Sequence, residues 1–275
     1  MTRTAAATIA LALLSTAAAH ADGNYLSPTE DRVRLSLGLA LDSLATSVRL
    51  DGAAGTPGTF ISGENDLGLA KTKVEPRFEL MVRAGARHRV QFDYFSVDRS
   101  TTQVLARTAA QGPIAFRNAI LLNGDPVQTD FGLRMLGIGY GYSFWRTDKL
   151  ELAGTFGVNE IDISTQVRVQ TQTRHVYQNE DQAGPFPTLG VAATWVASRR
   201  FYLDGRAQYF RLAVDHLQGS LGLYELNALY RFRPNVSFAL GYREVRAYLN
   251  SRQASNSGRF DFSAKGPQLF VRIAF

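Results

Sequence analysis

The sequence predicts an all-β protein whose strands form one closed, antiparallel transmembrane β-barrel of about ten strands. Three observations support this prediction. Apolar side chains recur at every second position, the connections alternate between tight turns and longer loops, and the face opposite the apolar one carries small and charged residues. Period-2 alternation is typical of strands with different surroundings on their two faces, and alternating connection lengths are typical of membrane barrels. Barrels of eight or twelve strands are the alternatives.

The clearest alternation lies near the two ends of the chain. In 32–41 every odd-numbered residue is Val or Leu, and a helix would not keep five consecutive apolar residues at even spacing. In 266–275 the apolar face consists of Pro267, Leu269, Val271, Ile273 and Phe275. Eight further segments of this kind complete the predicted set: 71–85, 88–99, 129–145, 150–163, 186–198, 201–214, 221–233 and 236–249.

One predicted strand, 129–145, changes phase within its length. Phe131, Leu133 and Met135 alternate out of step with the apolar residues from Leu136 onward. This change predicts a β-bulge or a change in the surroundings of the strand at that point.

The connections divide into two groups by length. Four are tight, at 85–88, 146–149, 198–200 and 233–235. Five are longer, at 51–70, 100–128, 164–185, 215–220 and 250–258. Short turns on the periplasmic side and long loops on the extracellular side are the connectivity of membrane barrels, and an even strand number puts both termini on the turn side.

Composition excludes several classes of protein. The 275 residues are 45% hydrophobic and 20% charged, and after the first residues no apolar run reaches the length of a transmembrane helix. Cysteine is absent, so the chain has no disulfide framework and no thiolate ligand or nucleophile. The net charge of +6 comes from basic residues scattered singly or in pairs, which does not predict nucleic-acid binding.

The first residues have the features of a secretory signal peptide. Arg3 supplies a positive charge, 5–14 is apolar, and Ala19-His20-Ala21 fits an A-x-A cleavage site. We therefore expect a signal peptide at 1–21 and a single barrel domain at 22–275.

With these features the chain resembles the bacterial outer-membrane β-barrel proteins, in the general sense of the small OmpA and OmpW class. The most specific part is the last strand, in which Leu269, Val271, Ile273 and Phe275 look like the signal recognised by the barrel-assembly machinery. Ile273 departs from the pattern, since an aromatic residue is common there. The resemblance implies the outer membrane as location, and outer-membrane lipid, lipopolysaccharide and the assembly machinery as partners.

The charged residues of the predicted inner face are the main candidate site. A barrel of eight to ten strands has a narrow interior, so these residues are expected to neutralise one another across the lumen. The expected lumen charge network is Glu79, Arg83, Asp93, Arg134, Asp204, Arg206, Glu225, Arg243 and Arg272. The network favours a structural plug, and a narrow pore for small polar solutes or ions is the alternative.

No catalytic, cofactor or metal site is predicted. His88 lies in a predicted turn and His175 and His216 in loops, and the adjacent Asp215 and His216 would point to opposite faces of an extended segment. The loop carboxylates of Glu64 to Asp66 lack the spacing of a Ca²⁺ loop. The aromatics expected at the membrane interface beside the turns are Phe144, Trp145, Phe201 and Tyr202.

The sequence thus predicts a non-enzymatic, structural barrel with a largely occluded, charged lumen. A porin-like narrow channel is the first alternative. Surface binding or adhesion through the loops 100–128 and 164–185 is the second.

Overall fold

The structure is a computed structural model that describes residues 27–52, 56–108, 112–116, 119–171, 175–252 and 257–275. The predicted signal peptide at 1–21 lies outside these ranges. No helix in the described ranges has the length and apolar character needed to cross a membrane.

Ten long antiparallel strands form the wall of a closed barrel. They are β1 (Val33–Leu50), β3 (Thr72–Ala84), β4 (His88–Val104), β7 (Pro126–Arg146), β8 (Leu150–Gln170), β9 (His175–Val196), β10 (Phe201–Val214), β11 (Leu217–Arg233), β12 (Val236–Ser251) and β13 (Gly258–Ala274). Three short strands lie in the described parts of the connections: β2 (Ile61–Ser62), which pairs with β1, and the hairpin of β5 (Ile114–Phe116) and β6 (Ala119–Leu121).

The strands follow chain order around the barrel, and β13 pairs with β1 to close it. This closing register runs from Arg34 opposite Ala274 to Leu50 opposite Gly258. The last residue joins the first strand, because the Phe275 N–H donates to the Val33 carbonyl over 2.9 Å. The predicted fold class, with ten strands, is confirmed.

The connections 85–87, 147–149, 197–200 and 234–235 lie at one end of the barrel, which we call the turn end; the opposite end is the loop end. The strands reach further towards the loop end than predicted. The expected loop 164–185 is mostly strand, since β8 continues to Gln170 and β9 begins at His175, and the expected loop 215–220 is a tight turn at Asp215 and His216. These two loop predictions are wrong.

Next to the turn end, the outer face of the barrel is an apolar belt. On β8 it runs from Leu150 to Val158 and on β10 from Phe201 to Tyr209, nine residues in each case. Nine to eleven residues is the length of a tilted strand that crosses the hydrocarbon core of a bilayer. The outward positions of the belt, all within the described ranges, contain no Asp, Glu, Lys or Arg. We call this part of the molecule the lower barrel.

Beyond the belt, both faces of most strands change polarity. On β7 the outward residues change from Leu136 to Arg134, while the inward residues change from Gly137 to the buried Met135. The same change occurs at one level on most other strands, but the inner face stays polar on β3, with Lys73 and Glu75, and on β9, with Glu180 and Gln182. The last large outward apolar residues before it are Leu41, Val74, Tyr94, Leu136, Val158, Pro185, Tyr209, Tyr224, Tyr242 and Pro267.

The part beyond this level, the upper barrel, has a polar outer face and an apolar interior. Its main core cluster contains Leu44, Leu69, Phe95, Val97, Phe131, Leu133, Met135, Ile161, Leu221, Val245, Phe260, Phe262 and Ala264. A second cluster nearer the loop end contains Ile61, Leu67, Leu105, Ile114, Leu121, Val127, Val167 and Val169. This arrangement is typical of a barrel wall in contact with water, so the upper barrel projects beyond the apolar layer.

The phase change predicted in 129–145 is therefore a change of surroundings. Register with β8 is continuous from Val127 to Ser143, and the irregularity lies nearer the turn end, between Ser143 and Trp145. Phe131, Leu133 and Met135 point inward with Gly137 and the inward residues that follow.

Candidate functional site

The interior of the lower barrel is the candidate site. Strand alternation turns the apolar residues of the belt outward and leaves charged and small residues facing the lumen. Buried charges are tolerated only when they are paired and hydrogen-bonded. The inward charges of the lower barrel meet this condition by pairing across the lumen.

Arg206 occupies the centre of the network. Its guanidinium donates to both carboxylate oxygens of Asp93, with N–O distances of 2.8 and 3.0 Å. A second carboxylate, Glu225, lies 3.5 Å away. Since Arg206 is on β10 and Asp93 on β4, this bidentate pair joins strands on opposite sides of the barrel.

Arg77 and Arg272 extend the network on either side. Arg77 on β3 donates to Glu79 over 2.9 Å and to Glu225 on β11. Arg272 on β13 pairs with Asp204 on β10 and lies 3.6 Å from Glu79. The guanidinium carbon of Arg77 also lies 3.8 Å from the ring centre of Phe270, a cation–π contact.

Two more groups of ion pairs lie at the edges of the network. Near the turn end, both guanidinium nitrogens of Arg83 donate to Glu151 over 2.8 Å, and the Ser143 hydroxyl donates to the same carboxylate. Arg89 approaches Glu151 to 3.6 Å. Near the upper barrel, Arg243 pairs with Asp42.

The network leaves little free space. Three cavities beside Arg206 measure about 50, 40 and 10 Å³, room for a few water molecules. Above the network, Phe131, Phe260 and Phe262 stack with ring centres 6.1–6.3 Å apart. Ion pairs and aromatic rings thus close the lumen in two successive layers.

A third closure lies at the turn end, where the segment before β1 fills the mouth of the barrel. Ser27, Thr29 and Asp31 are buried there. Arg83 donates to the Asp31 carbonyl over 3.1 Å, and Arg146 donates to the Thr29 carbonyl over 2.8 Å. Burial raises the pKa of the Asp31 carboxyl, and the nearby positive charges offset only part of that effect.

Eight of the nine residues proposed for the network point into the lumen and form ion pairs: Glu79, Arg83, Asp93, Asp204, Arg206, Glu225, Arg243 and Arg272. Arg134 does not, because its side chain is exposed on the outer surface of the upper barrel, opposite Asp162 on β8. Its inclusion was wrong: the inner and outer faces exchange polarity just before it.

Four participants were missing from the predicted network: Asp42, Arg77, Arg89 and Glu151. Each lies at an inward position of its strand, so the alternation itself was the available signal. Asp42 lay just past the segment predicted as the first strand. Which charges meet across the lumen depends on the order of strands around the ring, which alternation does not contain.

The other predicted groups lie as follows. In the last strand, Leu269 is exposed on the belt, with Val271 and Ile273 partly exposed beside it. Phe144, Trp145 and Phe201 are exposed beside the turns. Tyr202 is not part of this group, because it points inward, is buried, and contacts the Ser237 hydroxyl over 3.2 Å.

The histidines of the described ranges are dispersed. His88 begins β4 and contacts the Tyr140 hydroxyl on the outer face, His175 begins β9, and His216 lies in the turn after β10. No group of three His, Asp or Glu side chains in the described part of the chain could hold a metal ion.

Comparisons with known proteins agree with this architecture. Among solved structures, the outer membrane protease OmpT from Escherichia coli matches with a TM-score of 0.59 at 10% identity, covering 92% of this chain and 100% of that one. The chain has the fold of the bacterial outer-membrane β-barrels. At this identity the likeness shows the fold alone and does not decide whether the chain is an enzyme.

Two further matches are more distant. The attachment invasion locus protein Ail of Yersinia pestis matches with a TM-score of 0.33 at 9% identity, covering 87% of this chain and 98% of Ail. The toluene transporter TodX of Pseudomonas putida matches with a TM-score of 0.33 at 8% identity, covering 88% of this chain and 89% of TodX. No protein-family model and no curated protein sequence matches the chain.

The energetic role of the network is tested at its most buried pair, Arg83–Glu151. Glu151→Gln should lower the free energy of unfolding by about 3–5 kcal/mol, because it leaves the buried Arg83 and Arg89 without their carboxylate. Adding Arg83→Met should recover part of that loss. The measurement is denaturant-induced unfolding of the protein folded into lipid vesicles.

The control for this cycle is the exposed pair Arg259–Asp261 on the outer face of β13. Asp261→Asn should cost less than about 1 kcal/mol, since exposed ion pairs contribute little. Equal losses of unfolding free energy at the two pairs would contradict a larger stabilising contribution from the buried pair.

Proposed function

We propose that the chain is a non-enzymatic, structural protein of the outer membrane, in which a closed barrel holds a β-structured extension on the outer side. The turn end then faces the periplasm and the upper barrel faces the exterior. The observation that best supports this proposal is the series of three closures along the lumen. Each is built from side chains that are paired or packed together.

Porin-like passage of small polar solutes is the alternative, and the closures do not favour it. A polar solute would have to separate ion pairs such as Arg206–Asp93, and then pass the stacked rings of Phe131, Phe260 and Phe262. Leaving a buried charge without its partner costs several kcal/mol. Adhesion through the loop end has no specific contact among the described residues to support it.

Conductance in planar bilayers tests the closed lumen. The wild-type protein should give no discrete openings at potentials where a general porin, reconstituted in the same way, conducts. Arg206→Ala should also give no discrete openings, because the aromatic stack and the segment 27–31 still close the lumen at two other levels. Discrete, ohmic openings of the wild-type protein would overturn the structural role and favour the channel.

We also propose lipopolysaccharide as a contact on the outer side, in a groove just above the belt. A cavity of about 580 Å³ lies between the outer faces of β11, β12, β13 and β1 and the segment 62–71. Lys71 and Arg246 line it, and Lys265 is exposed nearby, next above Pro267 on β13.

Charge within this groove favours a phosphate-bearing headgroup, because Lys71 and Arg246 are exposed there and, among the described residues, only the Nε of Arg246 is held, by Glu244 over 2.6 Å. The lining carboxylates are already neutralised, Glu64 by Arg99 and Asp261 by Arg259. The belt beneath would hold the acyl chains of the same lipid. We propose further that the last strand, ending at Phe275, is the part recognised by the assembly machinery during insertion.

Charge reversal tests the groove. The double variant Lys71→Glu, Arg246→Glu should bind lipopolysaccharide at least roughly tenfold more weakly, since each surface cation contributes about 1 kcal/mol to binding of anionic lipid. Binding is measured on the refolded protein by native mass spectrometry. Arg233→Glu, at the turn end, is the matched control and should not change lipopolysaccharide binding. An equal loss of binding in this control would contradict the proposed groove.

A further inference from the structure

Two seams interrupt the wall of the upper barrel. The pairing of β9 with β10 ends at Leu189 opposite Tyr209, although β9 continues to His175. The pairing of β3 with β4 ends at Phe78 opposite Tyr94. Both seams begin at the level where the faces of the strands change polarity.

Proline explains where the β9–β10 seam begins. The Ala197 N–H donates to the Phe201 carbonyl, so the odd-numbered residues of β9 direct their backbone groups towards β10. The next two such positions after Leu189 are Pro187 and Pro185. Proline has no N–H, so the ladder with β10 cannot continue through them.

The β3–β4 seam begins in the same way. The Arg83 N–H donates to the Arg32 carbonyl on the β1 side, so the even-numbered residues of β3 face β4. Pro76 is the first such position beyond Phe78 and has no N–H to donate.

The chain itself fills the β3–β4 seam. Arg99 on β4 donates to Glu64 over 2.5 Å and to the Ala70 carbonyl over 3.2 Å, which ties the segment 61–70 to the far side of the seam. Leu67 and Leu69 of this segment are buried in the two core clusters.

The β9–β10 seam has no such filling segment within the described ranges. Leu212 and Val214 of β10, although at inward positions, are 37% and 53% exposed, and Leu217 of β11 is 41% exposed. Inward aliphatic side chains elsewhere in the upper barrel, such as Leu133, are buried. The seam therefore opens the upper interior to the outside.

A cavity of about 250 Å³ lies behind this opening. Most of its wall is apolar and comes from β1, β8, β11, β12 and β13: Val48, Leu50, Ile163, Leu217, Leu249 and Phe260. Three polar residues form one side, Thr165 of β8 and Glu180 and Gln182 of β9, and Ser251 of β12 and Arg259 of β13 also line the cavity. Phe260 belongs to the aromatic stack, so the cavity ends where the closed lumen begins.

Size and charge limit what this cavity can hold. A cavity of about 150 Å³ binds benzene, so 250 Å³ suits a molecule of about ten non-hydrogen atoms. Both charged residues in the wall already have partners: Glu180 accepts from Gln178 over 2.7 Å, and Arg259 donates to Asp261 over 2.7 Å. Glu180 keeps its negative charge in a hydrogen bond with a neutral amide, so an anion is disfavoured, and the mostly apolar wall disfavours burial of a cation.

We propose that this cavity is a binding site for a small, uncharged aromatic alcohol that enters through the β9–β10 seam from the outer side. The ring packs against Leu249 and Phe260, and the hydroxyl reaches the polar side at Thr165 and Gln182. Because the aromatic stack and the ion pairs lie beneath, the site binds its ligand without passing it through the barrel. This goes beyond the structural role proposed above and does not depend on it.

Binding of 1-naphthol, an uncharged aromatic alcohol of the right size, tests this proposal. The protein is placed in lipid nanodiscs, and the fluorescence titration is corrected with empty nanodiscs, since the probe also partitions into lipid. The wild-type protein should show saturable binding. Leu249→Trp, which fills the cavity, should weaken binding at least tenfold.

Two further variants make the result specific. Leu240→Trp changes the same strand on the lipid-facing side and should bind as the wild type does. Gln182→Trp fills the cavity from an exposed position and should reproduce the loss even if Leu249→Trp does not fold. Wild-type binding no greater than that of empty nanodiscs would overturn the proposal, as would equal binding by Gln182→Trp and Leu240→Trp.

Discussion

A strand that crosses an apolar layer must turn its charged residues inward, and in this barrel that constraint applies to about nine residues of each strand and then ends at one level. Below that level the interior is polar, so it is stable only if its charges pair with one another. Above it the outer face meets water, so the interior can be apolar and pack as a core. The ion-pair network and the aromatic stack are two consequences of the same boundary.

The boundary also determines where the barrel is closed and where it is open. Within the layer every strand must pair with both neighbours, because no water is present to satisfy a free backbone group. Beyond it, unpaired backbone is solvated, and Pro76 and Pro187 end their ladders at this point. One of the resulting seams is filled by the chain through Leu67 and Leu69, and the other leads to a cavity.

Much of the lower barrel was predictable from the sequence, since alternation located the ten strands, the four tight turns and the inward side of Glu79, Asp93 and Arg206. The upper barrel was not, because alternation locates the inner face only where each face keeps one polarity along the strand. With one polarity for each face, the pattern predicts an irregularity at Phe131 and Met135, a lumen position for Arg134 and a loop at 164–185. Which charges meet is set by strand order around the ring, so pairs such as Arg206–Asp93 required the structure.

The most direct test of this account is the depth of labelled residues on one strand. The chain contains no cysteine, so single cysteines at Leu226 and Gln218, both outward on β11, can each carry a fluorophore. In vesicles, quenchers attached to lipid acyl chains should quench the label at 226 strongly, and aqueous iodide should quench the label at 218. Strong acyl-chain quenching at both positions would contradict the boundary and the projecting upper barrel.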